Sequence, residues 1–353
     1  MKKRDEWFSE VDVARLSPSI RPYSEYNEVL GDISKGIFSN IMGLVNKAEA
    51  IVPRLREVLP IMRLGAEAAS PNVAAVDSGS GGKDLLVGYQ PISLAVGAVF
   101  IGGLRMSDPL LATLRPPSSC PDDEEGVKLS SLIGYYLMYN LASILLSKSD
   151  LVLIDGPLYL PRSYYAPRGR SYSPSYLEVY EAALRSLSNL LREAKLAGKH
   201  VVGVVKRVRS HYISTWLGMD SVPDSLLSSL LLSEGEALGP IPADGSWEEV
   251  AGFLGDARGL RLWVTFLRRG KSPVRLDLPE FSLDEARIIV SQIYSLSEPS
   301  TGLPLPIIAV DRLSKLTNRQ TSLIYRMVLS EARARGLSPE RLPLFSLQRG
   351  EID

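Results

Sequence analysis

The stretch Val73-Ala74-Ala75-Val76-Asp77-Ser78-Gly79-Ser80-Gly81-Gly82 decides the fold. Its four small or β-branched apolar residues predict a short buried strand that delivers one carboxylate, Asp77. The Ser/Gly run behind them is predicted to end that strand. A carboxylate at the end of a buried strand is costly unless a cation meets it there. The pattern returns in Asp150-Leu151-Val152-Leu153-Ile154-Asp155-Gly156-Pro157. Two apolar strands, each closing on Asp and a breaker, point to two carboxylates brought together at one edge of a sheet. For either Asp taken alone, capping of a turn is the competing reading.

Working outward, residues 1–70 read as a helical N-terminal arm. Val29, Ile33, Ile37, Ile41, Leu44, Ala48 and Ile51 recur at the spacing of a one-sided helix, which Pro53 is expected to interrupt. Such a stripe either packs on its own core or covers a dimer or partner interface. Residues 71–353 read as the main domain, with an insert at about 211–299 that could shape a substrate channel. After Asp77, Leu85–Tyr89 and Ile92–Gly102 are predicted to continue as two further strands of a meander. An acidic loop with Asp122, Asp123, Glu124 and Glu125 leads into a nearly all-apolar helix over Val127–Ser147. The Asp155 strand follows. A helix over Tyr176–Leu196, capped by Gly198, precedes a strand over His200–Val205 that ends in Lys206 and Arg207. Strand, helix and strand in this order imply parallel pairing, which puts Lys206 at the same sheet edge as Asp155. A hairpin is expected from Leu260–Leu267 to Val274–Leu278, then helices over Leu283–Leu296 and Thr317–Ala334. Asp311 closes another apolar stretch and is a third isolated carboxylate.

The loop after Asp155 interleaves Tyr159, Tyr164, Tyr165 and Tyr172 with Arg162, Arg168 and Arg170. Aromatics that stack on bases, with arginines for phosphates, are what binding of single-stranded nucleic acid requires. Arg207 extends the cationic set.

Bulk composition narrows the chemistry. The chain has 353 residues, a formal net charge of +0, a single cysteine and two histidines. A neutral protein has no global field for a polyanion, so any such site is a local patch. One cysteine excludes an internal disulfide and fits a reducing compartment, and a cytoplasmic location is the expectation. So few sulfur and imidazole ligands argue against structural zinc; a metal here would have oxygen ligands, hence Mn²⁺ or Mg²⁺. No apolar run is read as a membrane span.

Strand-Asp, meander, helix, strand-Asp, helix, strand and a late acid is the order of a ribonuclease-H-like fold. The fold class is therefore α/β, a mixed sheet flanked by helices, with the helical arm in front. In that fold carboxylates converge on divalent ions and hydrolyse phosphodiesters. The residues also resemble a known family, the archaeal NurA nucleases. The resemblance lies in Val76-Asp77-Ser78-Gly79-Ser80, Leu153-Ile154-Asp155-Gly156, Val202-Gly203-Val204-Val205-Lys206-Arg207 and Gly302-Leu303-Pro304-Leu305-Pro306-Ile307-Ile308-Ala309. It implies a homodimeric, Mn²⁺-dependent deoxyribonuclease of the single-strand endonuclease and 5'-3' exonuclease type. Its partners would be DNA and the hexameric ATPase HerA, in the resection and repair of DNA ends. Asp77 and Asp155 would be metal ligands, and Lys206 and Asp311 would join them as catalytic residues.

The chain departs from the family in three places. The family's glutamate on the helix before the second Asp strand has no counterpart between Ile133 and Asn140. Its tyrosine in the Pro-rich segment is Leu303 here, and its histidine is Asp311. Glu124 or Glu125 could substitute only if the helix were shifted or the loop folded back. Two readings follow: a nuclease of reduced rate, or a non-catalytic subunit that keeps DNA or ATPase binding. A phosphate-loop reading of Ser78–Lys83 fails because Asp77 and Asp84 occupy the required Gly and Ser/Thr positions. A sugar-kinase-like ATPase fails for want of a late Gly-Gly loop.

Overall fold

The computed structural model describes residues 23–65, 71–85, 88–114, 123–165, 172–208, 210–218, 222–243 and 260–337. Two compact units divide the chain, Met1–Ala50 and Ile51–Asp353. The second carries one mixed sheet. Its strands are β1 (Ile61–Arg63), β2 (Val73–Leu85), β3 (Gly88–Ile101), β4 (Arg105–Met106), β5 (Leu110–Thr113), β6 (Leu151–Asp155), β7 (His200–Val205), β8 (Glu236–Pro242), β9 (Leu262–Leu267) and β10 (Val274–Pro279). They run in the order β1-β8-β9-β10-β7-β6-β2-β3-β4, with β5 also on β3. Among the described residues, only β2–β6 and β6–β7 are parallel pairs. The described helices are α1 (Tyr26–Val58), α2 (Asp123–Leu146), α3 (Pro174–Ala197), α4 (Tyr212–Trp216), α5 (Asp224–Leu231), α6 (Ala286–Leu296), α7 (Leu305–Ser314) and α8 (Asn318–Ala334).

The parallel centre follows directly from composition. Leu151, Val152, Leu153 and Ile154 are all buried, as are Val201, Val202 and Val204. A strand covered on both faces loses the alternation that a one-sided strand needs. Between them α3 starts at Ser173, whose side chain accepts from the Tyr176 N–H, and stops at Gly198 with φ 62°. Only one face of α3 is apolar, and it buries Val179, Ala183, Leu187, Leu191 and Ala194.

The Ser/Gly run does not end its strand. β2 continues for 13 residues, because β3 pairs with it along the whole length, from Val73↔Phe100 to Leu85↔Gly88. A tertiary ladder thus overrides a weak local propensity. The two strands expected over Leu85–Tyr89 and Ile92–Gly102 are, in consequence, parts of one hairpin. Ser130 of α2 locks it, its Oγ accepting from the Gly81 N–H at 3.1 Å. The stretch read as lacking any membrane-length run also needs correction: Glu124–Leu146 is long and apolar enough to cross a bilayer by composition, but its key window is 67% buried inside the fold. It packs on β2, β3 and α3.

α1 does not stop at Pro53 but runs through it to Val58, forgoing one backbone hydrogen bond. Along it Ile33, Ile37 and Ile41 are exposed. Residues 211–299 extend the sheet with β8 and with the expected β9–β10 hairpin.

The carboxylate of Glu236, at the start of β8, is 7% exposed. Both its oxygens lie 3.1 Å from Arg56 Nη2, and it accepts from the Ser233 N–H at 2.8 Å. The Ser233 bond and then Arg56 outweigh burial and hold this carboxyl below its ordinary value. Glu236→Gln is therefore expected to lose about 2 kcal/mol, the scale for hydrogen bonds to a charged group. Because the folded pKa is depressed, the wild-type advantage is full above about pH 4.5 and disappears as pH falls through the lower folded value. Urea denaturation of both proteins across that range checks it; an advantage that does not depend on pH refutes it.

Candidate active site

Register brings the two sheet carboxylates together. Val76 on β2 lies beside Ile154 on β6 as the last pair of their parallel ladder, so the next residue of each strand, Asp77 and Asp155, stands where the two strands part, each still paired to its other neighbour. β7 adds Lys206 one residue past its end. The turn after Asp155 is possible because Gly156 takes φ 118°, a region closed to side chains with a Cβ. The third acid comes from a helix. Pro304 and Pro306 do not exclude helix here; they sit at the N-terminal edge of α7, where proline is tolerated. Asp311 and Ser314 are three residues apart and share its inward face.

Oxygen atoms of Asp77, Asp155 and Asp311 all lie within 4.8 Å of one another. Lys206 Nζ is 2.5 Å from Asp155 Oδ2 and 2.6 Å from Asp311 Oδ1. Lys315 Nζ is 3.4 Å from Asp311 Oδ2. Asp77 is fixed from both sides, accepting from the Ser78 N–H at 2.7 Å and from Ser314 Oγ at 2.5 Å. Gly79 makes room for this: a Cβ there would overlap the carbonyl oxygen of Ser314. The cluster opens into a cleft of about 740 Å³.

Burial dominates the electrostatics. It raises Asp155 to about 7, with help from Asp77 and against the pull of Lys206. It raises Asp77 as well, partly offset by Ser314 and Ser78. Asp311 is more exposed; Lys206 and Lys315 outweigh desolvation and hold it below its usual value. Burial works against the Lys206 ammonium, but Asp155 and Asp311 prevail and raise its pKa. Three hard oxygen donors at this spacing, with no sulfur or imidazole among them, fit Mn²⁺ or Mg²⁺.

The sequence-predicted residues divide clearly. Asp77, Asp155, Lys206 and Asp311 meet in one place. Glu124 and Glu125 do not join them: Glu124 pairs with Lys128 at 2.6 Å, and Glu125 accepts from the Ser173 N–H at 3.1 Å. Beyond Asp123, Glu124 and Glu125 at its N-terminus, α2 carries no acid. It passes so close to β2 that a Cβ on Gly134 would lie 2.7 Å from Ser78 Oγ. Its neighbour Tyr135 stands by Gly156 with a hydroxyl that burial keeps firmly protonated.

The Tyr/Arg loop is only partly available to a ligand. Tyr159 is 2% exposed and its hydroxyl donates to the Leu260 carbonyl, so it is a wall rather than a free stacking surface. Tyr165 meets Tyr180 edge-on at 6.4 Å, and Tyr172 stacks on Tyr176 at 4.6 Å. These contacts dock the loop on α3. Tyr164 is half-buried and Arg207 exposed. Arg168, Arg170 and the Arg162 side chain lie outside the described residues. Sequence reading missed Ser314, whose only signal is its place one turn after Asp311.

The NurA domain model matches residues 71–316. No curated protein sequence matches the chain. Among solved structures, the NurA nuclease from Sulfolobus solfataricus is similar with a TM-score of 0.66 at 17% identity, over 91% of this chain and 100% of that one. A NurA with manganese is similar at TM-score 0.56 and 11% identity, over 85% and 97%. A NurA bound to dAMP and manganese gives 0.56 and 12%, over 90% and 99%. These likenesses give the fold, and a family model that spans most of the sequence gives the kinship: the chain belongs to the NurA family.

Proposed function

We propose that this chain is a divalent-metal-dependent deoxyribonuclease that hydrolyses phosphodiesters in single-stranded DNA. The observation that carries the reading is the convergence of Asp77, Asp155 and Asp311 within 4.8 Å, beside Lys206. Those three carboxylates would hold the metal. A divalent ion there supplies Lewis acidity and a more acidic water for attack on phosphorus. The protein's own part is positional. Ser314 and the Ser78 N–H orient Asp77, while Lys206 keeps Asp155 and Asp311 from repelling each other. Lys206 and the exposed Arg207 also give the cleft positive charge for an incoming phosphate. Endonucleolytic and 5'-3' exonucleolytic cutting, in end resection and repair, is the biological setting that fits. A homodimer working in the cytoplasm with a HerA-type ATPase completes the proposal, and the exposed Ile33, Ile37 and Ile41 support a protein partner.

A second reading has a specific observation behind it. The helix beside Asp77 offers Gly134 and a neutral Tyr135 there, and the whole turn Ile133–Asn140, where the resemblance expects a glutamate, contains no acid, which favours a subunit that binds without cutting. One experiment separates the two. Mn²⁺ is titrated by calorimetry into wild type and Asp77→Ala, and labelled single-stranded DNA is incubated with the same preparations. The nuclease reading expects saturable Mn²⁺ binding and metal-dependent cleavage, both lost in the variant. DNA bound by both proteins without cleavage would establish the subunit reading instead.

A further inference from the structure

A second cavity, of about 800 Å³, adjoins the carboxylate cleft. The two share Pro157, Val205 and Arg207. Its size is that of a small-ligand site, and its walls are aromatic, with Tyr159, Tyr164, His211 and Tyr212.

Arg275 and Asp277, two residues apart on β10 and so on one face of it, complete the lining. Arg275 is 7% exposed and Asp277 0%. Arg275 Nε donates to Asp277 Oδ1 at 2.8 Å and Nη2 to Oδ2 at 3.2 Å. The Leu158 N–H takes a further place on Oδ2 at 3.1 Å. Arg275 Nη1 makes no hydrogen bond among the described residues. The guanidinium lies 5.2 Å from the centre of the Tyr212 ring. Removing such an ion pair from water is costly, and a purely apolar floor would avoid that cost.

The pair is internally neutral, so it does not attract a phosphate. What it offers is a fixed donor edge beside aromatic faces. Arginine donors of this kind read the acceptor edge of a base, and tyrosine rings take its face. The charge for a phosphate stands elsewhere, on Arg207 at the rim shared with the cleft. We infer that this cavity is a nucleobase subsite. It takes the base of a nucleotide adjoining the scissile phosphate, against Tyr164 and Tyr212, with an acceptor on that base turned to Arg275. The inference rests on the nuclease reading for the position of the cut, but the base site itself is a binding property.

The test uses the full chain in EDTA, so that binding is read without cutting. The probes are short labelled dT oligonucleotides carrying one abasic site, moved along the strand, with affinity measured by anisotropy. Expected is one position at which losing the base weakens binding roughly ten- to hundredfold, the scale of a single stacked base. That penalty should vanish in Tyr212→Leu and persist in Tyr212→Phe, which keeps the ring. Thermal melts confirm that both variants fold. A scan in which no position costs more than about twofold overturns the subsite, as does a penalty unchanged in Tyr212→Leu. The same preparations are assayed for cleavage with Mn²⁺. Cleavage with a flat scan removes the subsite and keeps the nuclease; a Tyr212-dependent penalty without cleavage does the reverse. No DNA binding in EDTA overturns the subsite, and the nuclease reading falls with it only if Mn²⁺-dependent cleavage is absent too.

Discussion

Asp155→Asn is expected to lower Mn²⁺-dependent cleavage of single-stranded DNA by roughly 10³-fold or more, about 4 kcal/mol of barrier. It is also expected to leave thermal stability nearly unchanged. The two expectations have one source. Asp155 is the most strongly perturbed of the three carboxylates, pushed up to about 7 by burial and by Asp77. An ionised group kept in so unfavourable a setting serves binding rather than stability. The amide has the same shape, so packing around Ile154 and Gly156 is preserved. Lys206 keeps its second partner, Asp311, at 2.6 Å, and no cation is stranded. What disappears is one anionic donor of three. Cleavage within about tenfold of wild type would show that the chemistry does not depend on this cluster. A large fall in melting temperature would show instead that Asp155 is a structural partner of Lys206, and a rate loss could then not be assigned to the site.

The parts of this site that sequence reveals are those carried on local pattern. Asp77 and Asp155 each end an apolar run, and Lys206 ends a third. Parallel pairing of β6 and β7 is implied by the helix between them. Strand composition and chain order are enough to place these three residues at one edge. Asp311 was legible as an isolated acid but not as part of a helix. Two prolines within three residues read as breakers, and only the first turn of a helix accepts them. Ser314 reaches Asp77 across 237 residues, and no periodicity encodes such a contact. The continuation of β2 through Ser78–Leu85 is likewise a property of β3. Aromatic content was the least reliable guide. Tyr159, Tyr165 and Tyr172 share one loop, yet the first is a buried wall and the others dock that loop on α3. Conversely, Arg275 and Asp277 lie on an expected hairpin strand, and Tyr212 in the segment read as an insert, yet none of the three stands out in the sequence as a site residue.

Gly203→Ala is the substitution expected to damage the fold and the site together. Gly203 is central in the sheet, paired with Ile154 on one side and Asp277 on the other. The turn that follows Asp155 folds back directly over it. A Cβ at 203 would overlap the Leu158 amide nitrogen and lie 2.8 Å from the Gly156 carbonyl oxygen. All of these are backbone atoms, so no side-chain rotation relieves the clash, and the turn itself must lift. Lifting it separates the Leu158 N–H from Asp277, where the bond is 3.1 Å long, and leaves that fully buried carboxylate with Arg275 alone. Overpacking of roughly 1–3 kcal/mol then adds to roughly 1.5–3 kcal/mol for a hydrogen bond to a charged group. A loss of about 3 kcal/mol or more is expected, with a fall in melting temperature of roughly 5–10 °C. Gly156 and Pro157 move with the turn, so Asp155 leaves its place beside Asp77, and both Mn²⁺ affinity and cleavage should fall in the protein that remains folded. Ala75→Gly, at a buried position of β2 away from the turn, is the control: it should lose stability without losing metal affinity per folded molecule. If Gly203→Ala retained wild-type Mn²⁺ affinity, the position of Asp155 would not depend on the close approach of the turn to β7.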